Sequence, residues 1–102
     1  MHGFDARRRY MEITDAQLLA VIGKAAELAT TKTLIITGHL KPYLKKSEAF
    51  RRYGRTNIEH WLGQGLLTPR KDGDHSAAWR LDRLEIEVLL YSIEMGRILP
   101  LH

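Results

Sequence analysis

Lysine and arginine side chains, which pair with anions, are concentrated in one segment of the chain. Residues 39–80 hold nine Lys/Arg and four Asp/Glu, a net charge of +5, against +1 for residues 1–38 and −2 for residues 81–102. A polyanion would meet a positive face at this segment and a neutral or acidic face elsewhere. The charge distribution supports two interpretations equally. The basic side chains form a phosphate-binding surface, or they only keep a small domain hydrated.

Side chains suited to nucleic-acid contact lie in the same segment. Asn57 and His60 are predicted to point outward from a helix, where an amide can pair with a base edge. Arg70, Lys71 and His75 lie on a predicted hairpin, where contact with the backbone or the minor groove is expected. The full set of candidate DNA-binding residues is Lys45, Lys46, Ser47, Arg51, Arg52, Arg55, Thr56, Asn57, His60, Arg70, Lys71 and His75.

Two short helices with a basic turn between them are predicted to position these side chains. Ser47 is predicted to cap a helix over 48–53, with Gly54-Arg55 as the turn. The sequence Thr56-Asn-Ile-Glu has the form of a capping box, so a second helix opens there and ends at Gly65. Its spacing defines an inward set, Ile58, Trp61 and Leu62, and an outward set, Asn57, His60 and Gln64.

A charged hairpin and a third capped helix are predicted next. Asp72-Gly73 is a turn signal between two short strand-like runs. Asp82-Arg-Leu-Glu has the form of a further capping box, and Leu81 and Ile86 are placed as a hydrophobic staple, so a helix is expected over about 83–94. Trp61 and Trp79 are predicted to belong to the core instead of stacking on bases.

An amphipathic helix is predicted in front of these elements. Thr14-Asp-Ala-Gln forms a capping box, and β-branched residues over 30–37 leave a strand as the alternative to a helix that ends near Gly38. Its apolar stripe is Leu18, Val21 or Ile22, Ala25, Leu28 or Ala29, and Ile35 or Ile36, interrupted by Lys32. The stripe must be buried against the domain or against the same helix of a second subunit, and we expect the second arrangement.

These elements predict a mainly α protein with a small β-hairpin wing: a winged helix-turn-helix preceded by an N-terminal amphipathic helix. The predicted segments are a flexible basic arm over 1–13, the helix over 14–38 as a dimerisation element, the winged domain over 39–96 and a tail over 97–102. Double-stranded DNA and a second copy of the chain are the expected partners.

Residues from about 43 to 90 resemble the winged helix-turn-helix of MerR-type regulators and phage excisionases. The resemblance is carried by Ser47-Glu-Ala-Phe, by the run from Ile58 to Leu67, by the basic hairpin and by Arg80-Leu-Asp-Arg-Leu-Glu. The turn before Thr56 is shorter than the family's usual one, and nothing after the wing corresponds to the effector region of MerR-type proteins. The resemblance therefore implies sequence-specific DNA binding by a transcriptional regulator or an excisionase-like accessory factor, with an integrase as a further partner.

Other classes are disfavoured by the sequence. It contains no nucleophile motif or phosphate loop, and caps explain most carboxylates, so an enzyme is not expected. With no cysteine and no metal-ligand spacing among five histidines, no metal or cofactor is expected. No apolar run approaches the about 20 residues of a membrane helix, so a cytoplasmic, nucleoid-associated protein is predicted. The alternative function is a protein-interaction adaptor that uses the winged fold without DNA.

Overall fold

The computed structural model describes residues 12–71 and 79–99. Within these ranges the chain is mainly helical, with a small three-stranded antiparallel sheet. In chain order the elements are α1 (Asp15–Ile36), β1 (Tyr43–Lys45), α2 (Lys46–Tyr53), α3 (Arg55–Gly63), β2 (Arg70–Lys71), β3 (Trp79–Asp82) and α4 (Arg83–Ile98). The mainly helical class with a small β element agrees with the prediction. The basic arm up to residue 11, the Asp72-Gly73 turn and His75 lie outside the described residues.

Helix α1 begins where the capping signal predicts. Thr14 Oγ1 accepts a hydrogen bond from the Gln17 backbone N–H at 3.0 Å, and Gln17 Oε1 accepts one from the Thr14 N–H at 2.8 Å. These two bonds satisfy amide donors that a helix start leaves without a partner. The capping box at this position is confirmed.

The β-branched end of α1 is helical, not a strand. Thr30 and Thr33 each donate a side-chain hydrogen bond to the backbone carbonyl four residues earlier, at 2.9 and 3.0 Å. The helix ends at Ile36, and Gly38 follows at φ +82°, where glycine is favoured because it has no Cβ. The prediction of one long helix ending near Gly38 is confirmed.

The predicted caps of α2 and α3 are wrong, and the cause lies in the preceding elements. Strand β1, which the sequence did not predict, runs directly into α2, so Lys45 is the N-cap and Ser47 lies inside the first turn. Helix α3 starts at Arg55 because Gly54 alone, at φ +93°, separates it from α2, and no side chain caps it. The turn is therefore one residue long, and Thr56 is already helical.

The sheet has β3 in its centre, with β1 on one side and β2 on the other. Leu44 lies opposite Leu81 and Lys45 opposite Arg80, while Arg70 lies opposite Arg80 from the other edge. Strand β2 pairs with β3 as predicted for the two strands of the hairpin, but β2 covers only Arg70–Lys71, and the predicted first run, which starts at Leu66, is not a strand before Arg70. The pairing of β1 with β3 joins the start of α2 to the same sheet.

Helix α4 begins at the predicted cap but runs further than expected. Asp82 Oδ1 accepts from the backbone N–H groups of Leu84 and Glu85 at 2.9 and 3.3 Å. Glu85 does not complete the predicted capping box, because its Oε1 accepts from the Thr68 N–H at 2.9 Å. The helix continues to Ile98, so the predicted end near residue 94 and a tail starting at 97 are wrong.

One hydrophobic core lies between the sheet and helices α2, α3 and α4. Its buried residues are Leu44, Ala49, Ile58, Trp61, Leu67, Leu81 and Ile86. Trp61 is thereby confirmed as a core residue, and Leu81 and Ile86 are fully buried, as a staple requires. We call residues 43–71 and 79–86 the core module. None of the helices in the described ranges is long and apolar enough to cross a membrane.

Helix α1 packs outside this core, along α4. Gln17 Nε2 donates to the carbonyl oxygen of Ile98 at 2.9 Å, so the start of α1 lies beside the end of α4. Further along α1, Leu28 lines a shallow cleft together with Glu87 and Leu90. The two helices therefore run antiparallel, and no residue of α1 is fully buried.

Candidate nucleic-acid interface

A row of basic and aromatic side chains joins the hairpin to the start of α3. Lys46 Nζ lies 5.3 Å from the ring centroid of Trp79 and 5.6 Å from that of Phe50. Arg55 Cζ also lies close to Phe50, at 5.5 Å from the centroid of the same ring. Lys71 stands directly opposite Trp79 in the β2–β3 ladder. We call Lys71, Trp79, Lys46, Phe50 and Arg55 the cation–aromatic row.

The two rings of this row are held by the core, while the charged groups remain in solvent. Phe50 and Trp79 are partly buried and pack against the core cluster. Lys46, Arg55 and Lys71 are exposed. A cation–π contact at an exposed site contributes only about 0.5–1 kcal/mol, so it orients the charge without neutralising it. The row is thus a positioned set of cations.

One cation of the row has an acidic partner. Arg55 Nε lies 3.4 Å from Glu59 Oε2, with the two side chains 71% and 52% exposed. An ion pair this exposed is weak, because water and salt screen it. Among the described residues, Lys46 and Lys71 have no such pair. They are available to an anion from outside.

A second basic row crosses the outer face of the sheet. Leu44 and Leu81 point into the core, so their neighbours Lys45 and Arg80 point away from it. Arg70 lies opposite Arg80 and shares that face, and its Cζ is 5.3 Å from the Tyr43 ring. We call Lys45, Arg80 and Arg70 the sheet row.

Arg80 was missed by the sequence analysis. It stands between Lys45 and Arg70 only because β1 pairs with β3, and that pairing joins residues about 35 positions apart in the chain. The alternation of Trp79, Arg80 and Leu81 signals that Arg80 faces away from the core once this stretch is taken as a strand. That Arg80 stands in a basic row follows only from the register of β3 with β1 and β2, and this register cannot be read from the sequence alone.

The exposed face of α3 carries polar side chains that share one side of the helix. Thr56, Glu59 and His60 are three and four residues apart and are all exposed, while Ile58 and Trp61 are buried on the opposite side. This confirms the predicted inward orientation of Ile58 and Trp61 and the outward orientation of His60.

Asn57 lies at the edge of this face and is held by a local contact. Its Nδ2 donates to the Tyr53 carbonyl oxygen at 2.9 Å, across the Gly54 turn. The bond fixes the plane of the amide and leaves Oδ1 and one N–H for another partner. Asn57 is therefore oriented before any ligand arrives.

Arg51 and Arg52 do not join the cation–aromatic row. They lie on another side of α2, where they line a shallow cleft with Leu40, Leu44, Glu48 and Arg83. Arg83 is 8% exposed, and its Nε donates to the Lys41 carbonyl oxygen at 2.8 Å. The predicted site residues that the structure describes thus divide among four surfaces: the cation–aromatic row, the sheet row, the exposed face of α3 and this cleft. Ser47 is exposed in the first turn of α2.

Glu48 is the acidic member of the cleft. Lys41 Nζ lies 2.6 Å from Glu48 Oε2, and the Lys45 backbone N–H donates to Glu48 Oε1 at 2.9 Å. The bond from Lys41, followed by that from Lys45, lowers the pKa of the Glu48 carboxyl to about 2. Glu48 is therefore ionised near neutral pH and is already engaged by groups of its own chain.

The end of α2 is fixed to α4 by a tyrosine. Tyr53 Oη donates to Glu87 Oε2 at 2.5 Å. Burial of the half-buried ring, and then the hydrogen bond to Glu87, raise the pKa of Tyr53. This contact holds α2, and through Gly54 the start of α3, at a set position relative to α4.

No family model, no curated protein and no solved structure matches the chain. Among the described residues there is also no cluster of His, Cys, Asp and Glu that could hold a metal ion. The basic surfaces are therefore the features of the described residues that point to a function.

Proposed function

We propose that the chain binds double-stranded DNA as a winged helix-turn-helix, with α3 as the recognition helix and the β2–β3 hairpin as the wing. The order of β1, α2, α3 and a hairpin, with α2 and α3 in contact, supports this fold. The observation that carries the proposal is the cation–aromatic row, which connects the hairpin to the start of α3 through α2.

The proposed division of roles follows from exposure and position. Lys46, Arg55 and Lys71 pair with phosphates and set the register of the protein on the duplex. His60, Thr56 and the pre-oriented Asn57 face the base edges of the major groove. The sheet row supplies further contacts to the phosphate backbone of the DNA beside the wing. In this arrangement the aromatic rings support the cations and do not stack on bases.

The biological role that best fits this module is a transcriptional regulator or an excisionase-like accessory factor of a mobile element. This role is supported by the resemblance of residues 43–90 to those two groups of proteins. An accessory factor of this kind acts beside an integrase, which we propose as a second macromolecular partner.

A protein-interaction adaptor is the second candidate function, and one observation favours it. Leu66 and Val88 are 48% and 45% exposed, and with Leu84 and Leu89 they line an apolar groove beside α4. Exposed apolar grooves are typical of protein-binding surfaces. An adaptor would use this groove and would need neither basic row.

A salt titration of duplex binding separates the two candidates. We expect labelled duplex DNA to bind at about 50 mM salt and to lose affinity by orders of magnitude at about 200 mM, because bound phosphates release counterions. Lys46→Ala and Arg70→Ala should each reduce the salt slope by about one unit. The matched control is Lys24→Ala on α1, whose side chain pairs with Glu27 at 3.6 Å. Absence of binding at low salt, or an equal loss in the Lys24→Ala control, would favour the adaptor.

A further inference from the structure

Helix α1 carries apolar residues on two different faces. One face, with Val21, Leu28 and Ile35, is partly buried and packs along α4. The adjoining face is open: Ile22 is 55% exposed and Ile36 is 73% exposed. At three positions the predicted stripe left a choice between two neighbouring residues. In the structure the first residue of each pair faces α4 and the second faces solvent: Val21 and Ile22, Leu28 and Ala29, Ile35 and Ile36. An apolar helix face of this length calls for a partner.

The open face has the seven-residue repeat of a coiled-coil seam. Its positions alternate in spacing between three and four residues over the whole helix. In chain order they are Asp15, Leu18, Ile22, Ala25, Ala29, Lys32 and Ile36, and all seven are exposed. A repeat of this kind lets two helices pack side by side along their full length.

The residues of this seam complement a reversed copy of themselves. In an antiparallel pair with its two-fold axis beside Gly23, Leu18 lies opposite Ala29 and Ile22 lies opposite Ala25. Each large side chain then faces a small one, which fills the space between the helices. The same contacts occur on both sides of the two-fold axis because the two helices of the pair are identical.

The two charges of the seam fit the same register. Asp15 lies opposite Lys32 of the other copy at both ends of the pair, and neither has an ion-pair partner among the described residues. A parallel pair would instead place Asp15 against Asp15, Lys32 against Lys32, and alanine against alanine. Like charges and unfilled space both disfavour that arrangement.

We propose that α1 pairs with α1 of a second copy of this chain in antiparallel orientation, through the seam from Asp15 to Ile36. The dimer is two-fold symmetric, and Leu19, which is 69% exposed, covers one flank of the contact. This assembly does not depend on DNA. If the core module also binds duplex DNA, the two modules of the dimer read an inverted repeat.

Sedimentation of the full chain without DNA tests the assembly. We expect the wild type to shift from monomer to dimer between about 1 and 100 μM, by mass action. Ile22→Asp places a charge in the seam and should leave a folded monomer, with helix content checked by circular dichroism. Thr30→Asp places the same charge on an exposed position of α1 outside the seam and should retain the dimer. A wild type that is monomeric at about 100 μM, or equal loss of dimer in both variants, would overturn the proposal.

A charge swap tests the orientation. Asp15→Lys should weaken the antiparallel dimer several-fold, because two lysine side chains would then face each other at both ends of the pair, and adding Lys32→Asp should restore it. In a parallel pair the single change replaces one like-charge contact by another, so the dimer constant would not change. An unchanged dimer constant in Asp15→Lys, or no recovery in the double variant, would contradict the antiparallel register.

Discussion

The core module and α1 bury their apolar side chains to very different extents. In the module, Ile58, Leu81 and Ile86 are fully buried, whereas Ile22 on α1 is more than half exposed and no residue of that helix is fully buried. Both regions have well-formed helices. The difference shows that a cap and an apolar stripe specify that a helix forms, while tertiary packing decides how much stability it contributes. The free energy of folding is therefore concentrated in the module.

The largest expected effect comes from truncating the same residue type in the two regions. Ile58→Ala leaves a cavity in the core and should lower the free energy of unfolding by about 2–5 kcal/mol. Ile22→Ala removes exposed methyl groups and should change it by less than about 0.5 kcal/mol in dilute protein. Urea denaturation of both variants, at concentrations where the chain is monomeric, provides the measurement. Similar losses in both variants would remove the distinction between the regions.

Glycine substitutions give the next largest difference. Gly54 has φ +93° and ψ 131°, and a Cβ there would lie 3.4 Å from Asn57 Nδ2, so Gly54→Ala should cost about 1–3 kcal/mol. Gly23 lies within α1 with open space around it, so Gly23→Ala should stabilise the protein by about 0.5–1 kcal/mol through helix propensity. Thermal unfolding of the two variants should therefore shift in opposite directions, and a stabilising Gly54→Ala would contradict the tight turn.

The smallest effect is a pH dependence at the edge of the module. Because the pKa of Glu48 is lowered from 4.5 to about 2 in the folded protein, its contribution to stability is present above about pH 4.5 and is lost as pH falls towards 2. Glu48→Gln should flatten the dependence of unfolding free energy on pH in that window. Glu27→Gln removes an exposed carboxylate from α1, 72% exposed in its pair with Lys24, and is the charge-matched control. The same flattening in both variants would show that the contact between Lys41 and Glu48 is not the cause of the pH dependence.

The sequence predicted those elements whose signals are local. Thr14 and Asp82 cap their helices through residues two or three positions away, and both starts were predicted correctly. The caps at Ser47 and Thr56 failed because the preceding chain leaves no room for them. Strand β1 runs into α2 without a loop, and Gly54 alone connects α2 to α3.

The candidate site was predicted as a set of residues but not as surfaces. Sequence spacing placed His60 outward and Trp61 inward on α3, because helical periodicity is a local property. It did not show that Lys46 lies between Phe50 and Trp79, or that Arg80 stands between two other cations. Those contacts depend on strand register, which is set by pairing between distant residues.

Two-dimensional NMR of the labelled chain during titration with duplex DNA tests the central claim most directly, because the two tryptophans report from different environments. Trp79 belongs to the cation–aromatic row, whereas Trp61 is 7% exposed in the core. We predict that at about 50 mM salt the Trp79 indole signal and the backbone signals of Lys46, Arg55 and Lys71 shift, while those of Trp61 and of the open face of α1 do not. Shifts confined to α1 or to the groove beside α4, or no shift at all, would contradict DNA binding through the cation–aromatic row.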